Sequence, residues 1–219
     1  MMRIDILSLF PEYFQGPFGV SMLKRAIECG AIDPRFVDIR QFAENKHNRV
    51  DDRPYGGGPG MVMTPGPSIR AIRSVKQEGS RVIFLSPRGE TLRAKKCKEL
   101  STSSHLILLC GHYEGVDQRV IDTEVDEELS IGPYVLTNGC LPAIVLVDAL
   151  IRFIPGVLGN EESPHRDSFQ GGEGQEVEGP QYTRPEVFEG VQVPPVLLGG
   201  NHQEIEKWRK KQTKKVSLV

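Results

Sequence analysis

Between Leu129 and Ile154 the chain passes from a loop of small residues, Ile131 to Gly139, into its longest apolar run, Ile144 to Ile154. A membrane span needs roughly 20 apolar residues, and this run is shorter and carries Asp148 and Arg152. It must therefore be a helix buried in a folded core. The pattern predicts that the helix begins at Pro142 and stops before Pro155, which cannot continue it, with Arg152 near its end. A polar loop follows and holds Asp167.

The rest of the chain alternates strand and helix signals. Arg3 to Leu9 alternates apolar and polar residues, as a strand does, and Pro11 ends it. Val20 to Cys29 has helical spacing, with Gly30 at its stop. Phe36 to Phe42 reads as a second strand. A break from Asn45 to Gly60 contains DDRPYGGGPGM, which suits neither helix nor strand interior. It lacks the Gly-Lys-Ser/Thr ending of a phosphate-binding P-loop, so nucleoside triphosphate binding is rejected. Pro67 to Gln77 and Leu92 to Leu100 read as helices, Arg81 to Leu85 and His105 to Cys110 as strands. A short helix is expected around Arg119 to Asp122, and a further strand with its loop over Leu129 to Leu136. This order predicts an α/β domain with a mainly parallel sheet over residues 1–159. The glycine-rich acidic stretch within 160–183 reads as a flexible linker, and 184–219 as a small helical C-terminal domain. Asn201 and Glu204 make a capping-box pair at the start of its last helix.

Charge and cysteines narrow the class. The formal charge of −2 argues against a protein that coats nucleic acid over its whole surface. One local patch stands out: Lys207, Arg209, Lys210, Lys211, Lys214 and Lys215. A solvated helix end and an RNA contact are equally good readings of it. The four cysteines, Cys29, Cys97, Cys110 and Cys140, form no CxxC pair and read as reduced thiols of a cytoplasmic protein. The opening MMRIDILSLFP lacks the pattern of a signal peptide, because Asp5 interrupts its apolar run.

Ligands of parallel sheets bind outside the carboxyl ends of the strands. Three loops leave such ends: Ser86 to Gly89, Gly111 to Gly115, and Ile131 to Gly139. Each mixes glycine with proline or small polar residues, so backbone groups can approach a ligand closely. None has GxGxxG spacing, which favours an adenosine-like ligand without phosphates. For any one loop an ordinary βα turn is the stronger reading, and the three together shift the balance towards a ligand. By residue type alone Arg152 could satisfy helix carbonyls, Asp167 could cap a turn, and Glu114 could be a surface salt-bridge partner.

The segments DILSLFP, DDRPYGGGPGMVM, LSPRG, CGHYEGVDQRV, SIGPYVLTNGCLPA, RFIPGVLGNE, DSF, YTRPE, VPPVLLGGNH and KWRKKQ run in one order along nearly the whole chain. As a set they resemble the bacterial tRNA (guanine-N1)-methyltransferase family, of the SPOUT or trefoil-knot class. The resemblance implies a deep knot in the N-terminal domain, an exception to the rule that chains avoid threading. It implies S-adenosylmethionine as cofactor, with Leu85, Ser86, Pro87, Gly111, Ile131, Gly132, Pro133, Tyr134, Val135, Leu136, Gly139 and Leu141 around it. It implies a homodimer with shared active sites, and as substrate the guanosine 3′ of the anticodon in the tRNA anticodon stem-loop. Asp167 matches the family's general base and Arg152 its stabiliser of charge on the guanine carbonyl. Glu114 matches a position near the base and a Mg2+ ion. Lys207, Arg209, Lys210 and Lys211 would contact tRNA phosphates.

The chain departs from the family pattern at Pro133, at Asn138-Gly139-Cys140 and at Arg88. The first removes a backbone donor and a carboxylate from the cofactor loop, and the second removes another carboxylate. These departures frame the alternatives: an RNA-binding relative with impaired catalysis, or a methyltransferase for another RNA position. Resembling proteins usually continue somewhat further, so a short last domain is expected.

Overall fold

The computed structural model describes residues 1–159, 168–169 and 176–216. They divide into two compact units, Met1–Gly159 and Asn160–Val219.

The first unit runs β1 (Met2–Ser8), α1 (Gln15–Phe18), α2 (Ser21–Glu28), β2 (Ile32–Asp38), β3 (Asp51–Asp52), β4 (Val62–Met63), α3 (Pro65–Val75), β5 (Ser80–Thr91), α4 (Ala94–Leu100), β6 (His105–Cys110), α5 (Gln118–Glu124), β7 (Glu127–Ser130) and α6 (Cys140–Ile151). Five strands form one sheet in the order β2-β1-β6-β5-β7, all parallel. The fold is therefore α/β with a parallel central sheet, as the alternation of signals predicts.

Strand β6, HLILLC, is buried at every residue, because helices cover both faces of the sheet. Side chains alternate between two layers. Ile4, Ile6, Ile83, Leu106 and Leu108 pack with α1, α2, α4 and α6. Leu7, Val82, Phe84, Ile107 and Leu109 pack with α3 and α5 on the other side. The apolar run of α6 is the largest helical contribution: Leu146, Val147, Leu150 and Ile151 are all fully buried.

The carboxylate in the middle of β1 is satisfied inside the sheet. Asp5 accepts from His105 Nε2 at 2.6 Å and pairs with Arg3 Nε at 2.7 Å. Ser80 Oγ meets His105 Nδ1 at 2.7 Å. Three neighbouring strands, β1, β6 and β5, are thus tied together through Asp5, His105 and Ser80. A buried charge left without such partners would be strongly destabilising.

Several element bounds differ from the sequence reading. The second strand is Ile32–Asp38, and Ile39–Phe42 is a 3-10 turn. The Asp38 carboxylate accepts from the Arg40 backbone N–H at 2.8 Å and turns the chain there. Pro34 sits within β2, which is tolerated because β2 is an edge strand. Strand β5 continues past Leu85 to Thr91 through an irregularity: Leu85 and Glu90 both pair with Leu129. Gly89 is required there, since a Cβ on it would lie 2.4 Å from the Glu128 carbonyl carbon. The ladder extends to Leu92, whose N–H donates to Ser130 O, so α4 starts only at Ala94. Helix α6 starts two residues before Pro142, because the Asn138 side chain accepts from the Cys140 N–H at 2.8 Å.

The second unit is small. It holds β8 (Glu176–Val177), a hairpin of β9 (Val187–Phe188) and β10 (Val191–Gln192), α7 (Pro195–Leu198), α8 (His202–Gln212) and β11 (Lys214–Lys215). Within the stretch read as a linker, β8 pairs antiparallel with β11. Glu189 and Gly190 turn the hairpin with φ of 50° and 80°, the left-handed pair such tight turns require. Asn201 Oδ1 accepts from the N–H groups of Gln203 and Glu204, the cap expected from sequence. Neither α7 nor α8 has a fully buried residue. Among the described residues no helix is long and apolar enough to cross a membrane.

Candidate cofactor and catalytic site

The irregular middle of β5 and the carboxyl ends of β6 and β7 converge on one cleft. Phe84 to Pro87 enter it from β5, Gly111 to Gly115 from β6, and Leu129 to Gly132 with Tyr134 to Gly139 from β7. Pro142, in the first turn of α6, closes one side.

Glycine and short hydrogen bonds shape the walls. Gly132 has φ of 153°, and a Cβ on it would lie 2.5 Å from the Tyr134 ring. Ser130 Oγ donates to Gly132 O at 3.0 Å and accepts its N–H at 3.3 Å, which fixes the turn. Gly139 presses on the end of β6: a Cβ there would lie 2.8 Å from Cys110 Cα and 2.9 Å from Gly111 N. Its N–H donates to Gly111 O at 2.9 Å. A larger residue at either position would push the two loops apart.

Of the residues expected around a cofactor, Leu85, Ser86, Pro87, Gly111, Ile131, Gly132, Tyr134, Val135, Leu136 and Gly139 line this cleft, whereas Pro133 and Leu141 do not. Leu141 is 44% exposed on the outside of the first turn of α6. Glu114 lines the cleft, and the glycine-rich segment before β4 packs on it. A Cβ on Gly60 would lie 2.4 Å from Glu114 Oε1, and Glu114 N–H donates to Met61 O at 2.9 Å. That packing explains part of the glycine run that the sequence left as an unassigned loop. His112, Tyr113, Thr137 and Asn138 also line the cleft. The sequence reading gave them no role, although they lie inside GHYEG and TNG, two motifs it marked.

Arg152 caps the carboxyl end of α6, away from the cleft that Pro142 borders. Asp167 lies outside the described residues. In the second unit Lys207, Arg209, Lys210 and Lys211 are all exposed on α8. Lys210 pairs with Glu206 at 3.4 Å, and Lys214 and Lys215 continue the cationic surface. Beside it Tyr182 and Trp208 meet at 6.2 Å in a groove that Arg184 and Arg209 also line.

The cleft fits an adenosine-type cofactor better than a metal. Gly111, Gly132 and Gly139 leave backbone groups accessible where any Cβ would intrude. Among the described residues no three His, Cys, Asp or Glu side chains stand together as metal ligands. Glu114 is a single carboxylate at the cleft, and one carboxylate does not make a protein-built Mg2+ site.

Comparison with known proteins agrees with this architecture. The sequence model of the family described as tRNA (Guanine-1)-methyltransferase TrmD matches residues 2–218. A tRNA (guanine-N(1)-)-methyltransferase of Protochlamydia amoebophila is 64% identical over 214 residues, which cover 98% of this chain and 95% of that protein. Proteins of the same name from Chlamydia muridarum and Chlamydia trachomatis are 60% and 59% identical over 210 and 209 residues. These matches cover 96% and 95% of this chain, which spans 58% of the length of each chlamydial relative. A match over nearly the whole chain, with the matched loops converging on one cleft, leads to a single conclusion: the chain belongs to the tRNA (guanine-1)-methyltransferase TrmD family.

Proposed function

We propose that this chain transfers the methyl group of S-adenosylmethionine to guanine N1 of tRNA, at the guanosine 3′ of the anticodon. The observation that carries this reading is the cleft between the irregular middle of β5 and the ends of β6 and β7, built from segments that match the family motifs. S-adenosylmethionine supplies an activated methyl group on a positive sulfur. The chain's own part is to hold that cofactor through the backbone of Gly111, Ile131, Gly132 and Tyr134 to Leu136, and to prepare the guanine.

Guanine N1 carries a proton at neutral pH and is a poor nucleophile. Asp167 takes that proton as general base. Its removal leaves negative charge on the guanine carbonyl oxygen, which the planar guanidinium of Arg152 stabilises. Glu114, on the cleft wall, sits beside the base.

Placement supports a homodimer with shared sites. Pro142 borders the cleft and Arg152 caps the far end of the same helix, about 15 Å further along at ~1.5 Å per residue. An arginine there serves a cleft more readily in a second copy than in its own chain. The path after β7 supports the knot: β7 lies at the sheet edge, yet Gly139 returns to the end of β6, two strands inward. The cationic face of α8 supports phosphate contact with the anticodon stem-loop.

An RNA-binding protein with impaired catalysis is the weaker reading. Its support is the substituted loop, but Pro133 lies off the cleft wall. The deciding experiment offers labelled S-adenosylmethionine and two tRNA transcripts, one with guanine at the target and one with adenine there. Label should appear as 1-methylguanosine in the first transcript alone. Bound tRNA with no label in either would establish the weaker reading, and label at a different guanosine would reassign the substrate position.

A further inference from the structure

The groove of the second unit has no part in the chemistry above. Val193, Leu197 and Ile205, all half-buried, give it an apolar lining, and Tyr182, Trp208, Arg184 and Arg209 complete it. Its volume of about 480 Å³ lies in the range of small-molecule sites. Local sequence explains the walls. Ile205, Trp208 and Arg209 stand at i, i+3 and i+4 on α8 and so share one face of that helix. The other wall, Pro180 to Arg184, has no regular structure but is pinned at both ends. Before it, β8 pairs with β11, and Gly179 lies so close to α8 that a Cβ on it would stand 2.6 Å from Gln212 Cβ. After it, Glu186 O accepts from the Val193 N–H at 2.9 Å.

Two features point to a ligand. The planes of Tyr182 and Trp208 meet at 59°, so neither ring is stacked flat on the other, and Tyr182 is 46% exposed. Among the described residues, neither Arg184 nor Arg209 is engaged in an ion pair. Open aromatic rings beside free guanidinium groups are the combination that holds an unpaired nucleotide: a ring takes the base, and a cation takes the phosphate. A peptide or the apolar face of a second copy would use only the apolar lining. It would leave both arginines, and the neighbouring Lys207, Lys210 and Lys211 of α8, without counter-charge.

We propose that this groove binds one unpaired nucleotide of the RNA substrate, with its base stacked on Tyr182 and Trp208 and its phosphates paired with Arg184 and Arg209. This use of the groove rests on the RNA reading given above and adds a base contact to the phosphate contacts of α8.

Stacking is tolerant of base identity, since every base has a flat face. The groove therefore recognises that a nucleotide is unpaired, not which base it carries. A helical stem keeps its bases stacked inside and cannot make the contact, so the groove selects a loop over a stem.

The test uses the full chain and reads Trp208 directly, because it is the only tryptophan in the sequence. Two probes are titrated at low salt, a short single-stranded oligoadenylate and an abasic strand of equal length, which carries the same phosphates without bases. Oligoadenylate should quench the tryptophan fluorescence and bind about tenfold more tightly than the abasic strand. Tyr182→Ala should remove most of that advantage and leave the abasic affinity as it was, and Tyr182→Phe should restore it. Arg184→Ala should weaken binding of both strands and lower the salt slope of log affinity by about 0.7. Equal affinity for the two strands without quenching, or no binding of either, would overturn the proposal and make the groove the apolar interior of the unit. A shifted Trp208 emission in Tyr182→Ala would show that the variant disturbs the unit, and the two strands on the unaltered chain then decide alone. Methyl transfer to tRNA is scored separately. Quenching without any transfer would strike the methyltransferase reading and leave the groove standing, and transfer without quenching would do the reverse.

Discussion

Single atoms decide whether the cleft exists. Gly139→Ala would set a methyl group 2.8 Å from Cys110 Cα, against backbone that cannot step aside. Calorimetry should show cofactor binding weakened by at least about tenfold, with the protein still folded, since strain of this kind costs about 1–3 kcal/mol. Unchanged binding would mean that the loop does not carry the cofactor. The two residues assigned to the guanine should behave differently from it. Asp167→Asn should keep cofactor affinity and lose most turnover, by about 100-fold or more for a positioned base. Arg152→Ala should lower the rate of methyl transfer in single-turnover kinetics rather than cofactor binding. Near-normal rates in either would remove that residue from the mechanism. The thiol of Cys140 also carries a pH signature. Its folded value of about 5 lies below the unfolded value near 9, so between those limits the unfolded chain holds the extra proton. Stability should therefore rise with pH across that window, and the rise attributable to this group should be absent in Cys140→Ser in denaturant titrations.

At the scale of elements, local pattern was informative wherever burial on one or both faces sets the period. HLILLC could only be a covered strand, and the α2 and α3 spacings only helices. The pattern failed where a single polar interaction or a bulge overrides it. Phe36 to Phe42 alternates well enough for a strand, but Asp38 turns the chain into a 3-10 turn. The strand read as ending at Leu85 runs on to Thr91, because Gly89 lets the backbone lie against Glu128. No period in the sequence reveals a bulge, since it is defined by the partner strand. Gly89→Ala should therefore cost about 2 kcal/mol or more of stability, as overpacking against fixed backbone does. It should also loosen β7 before the rest of the sheet. Hydrogen exchange at Leu129 and Ser130 would report this, and protection equal to the unaltered chain would mean that the bulge tolerates a side chain.

For the whole molecule, the surface charge predicts how tRNA is held. Changing Lys210 and Lys211 together to Ala should weaken tRNA binding and lower the salt slope of log affinity by roughly 1–2, about 0.7–0.9 for each phosphate no longer neutralised. An identical slope would make the patch a solvated helix end. The sequence by itself determined the α/β alternation, the buried helix that follows the small-residue loop, and the motifs that mark the family. Each of these is written in local period or in residue identity. Tertiary structure alone decided which loops share a cleft, that Pro133 and Leu141 stand outside it, and that His112 and Tyr113 stand inside. It also set Cys140 against Ser8 and His112, both distant in the chain, and joined Asp5, His105 and Ser80 into one cluster. Such pairings join residues distant in sequence through the order of strands in the sheet, and no local spacing carries that order.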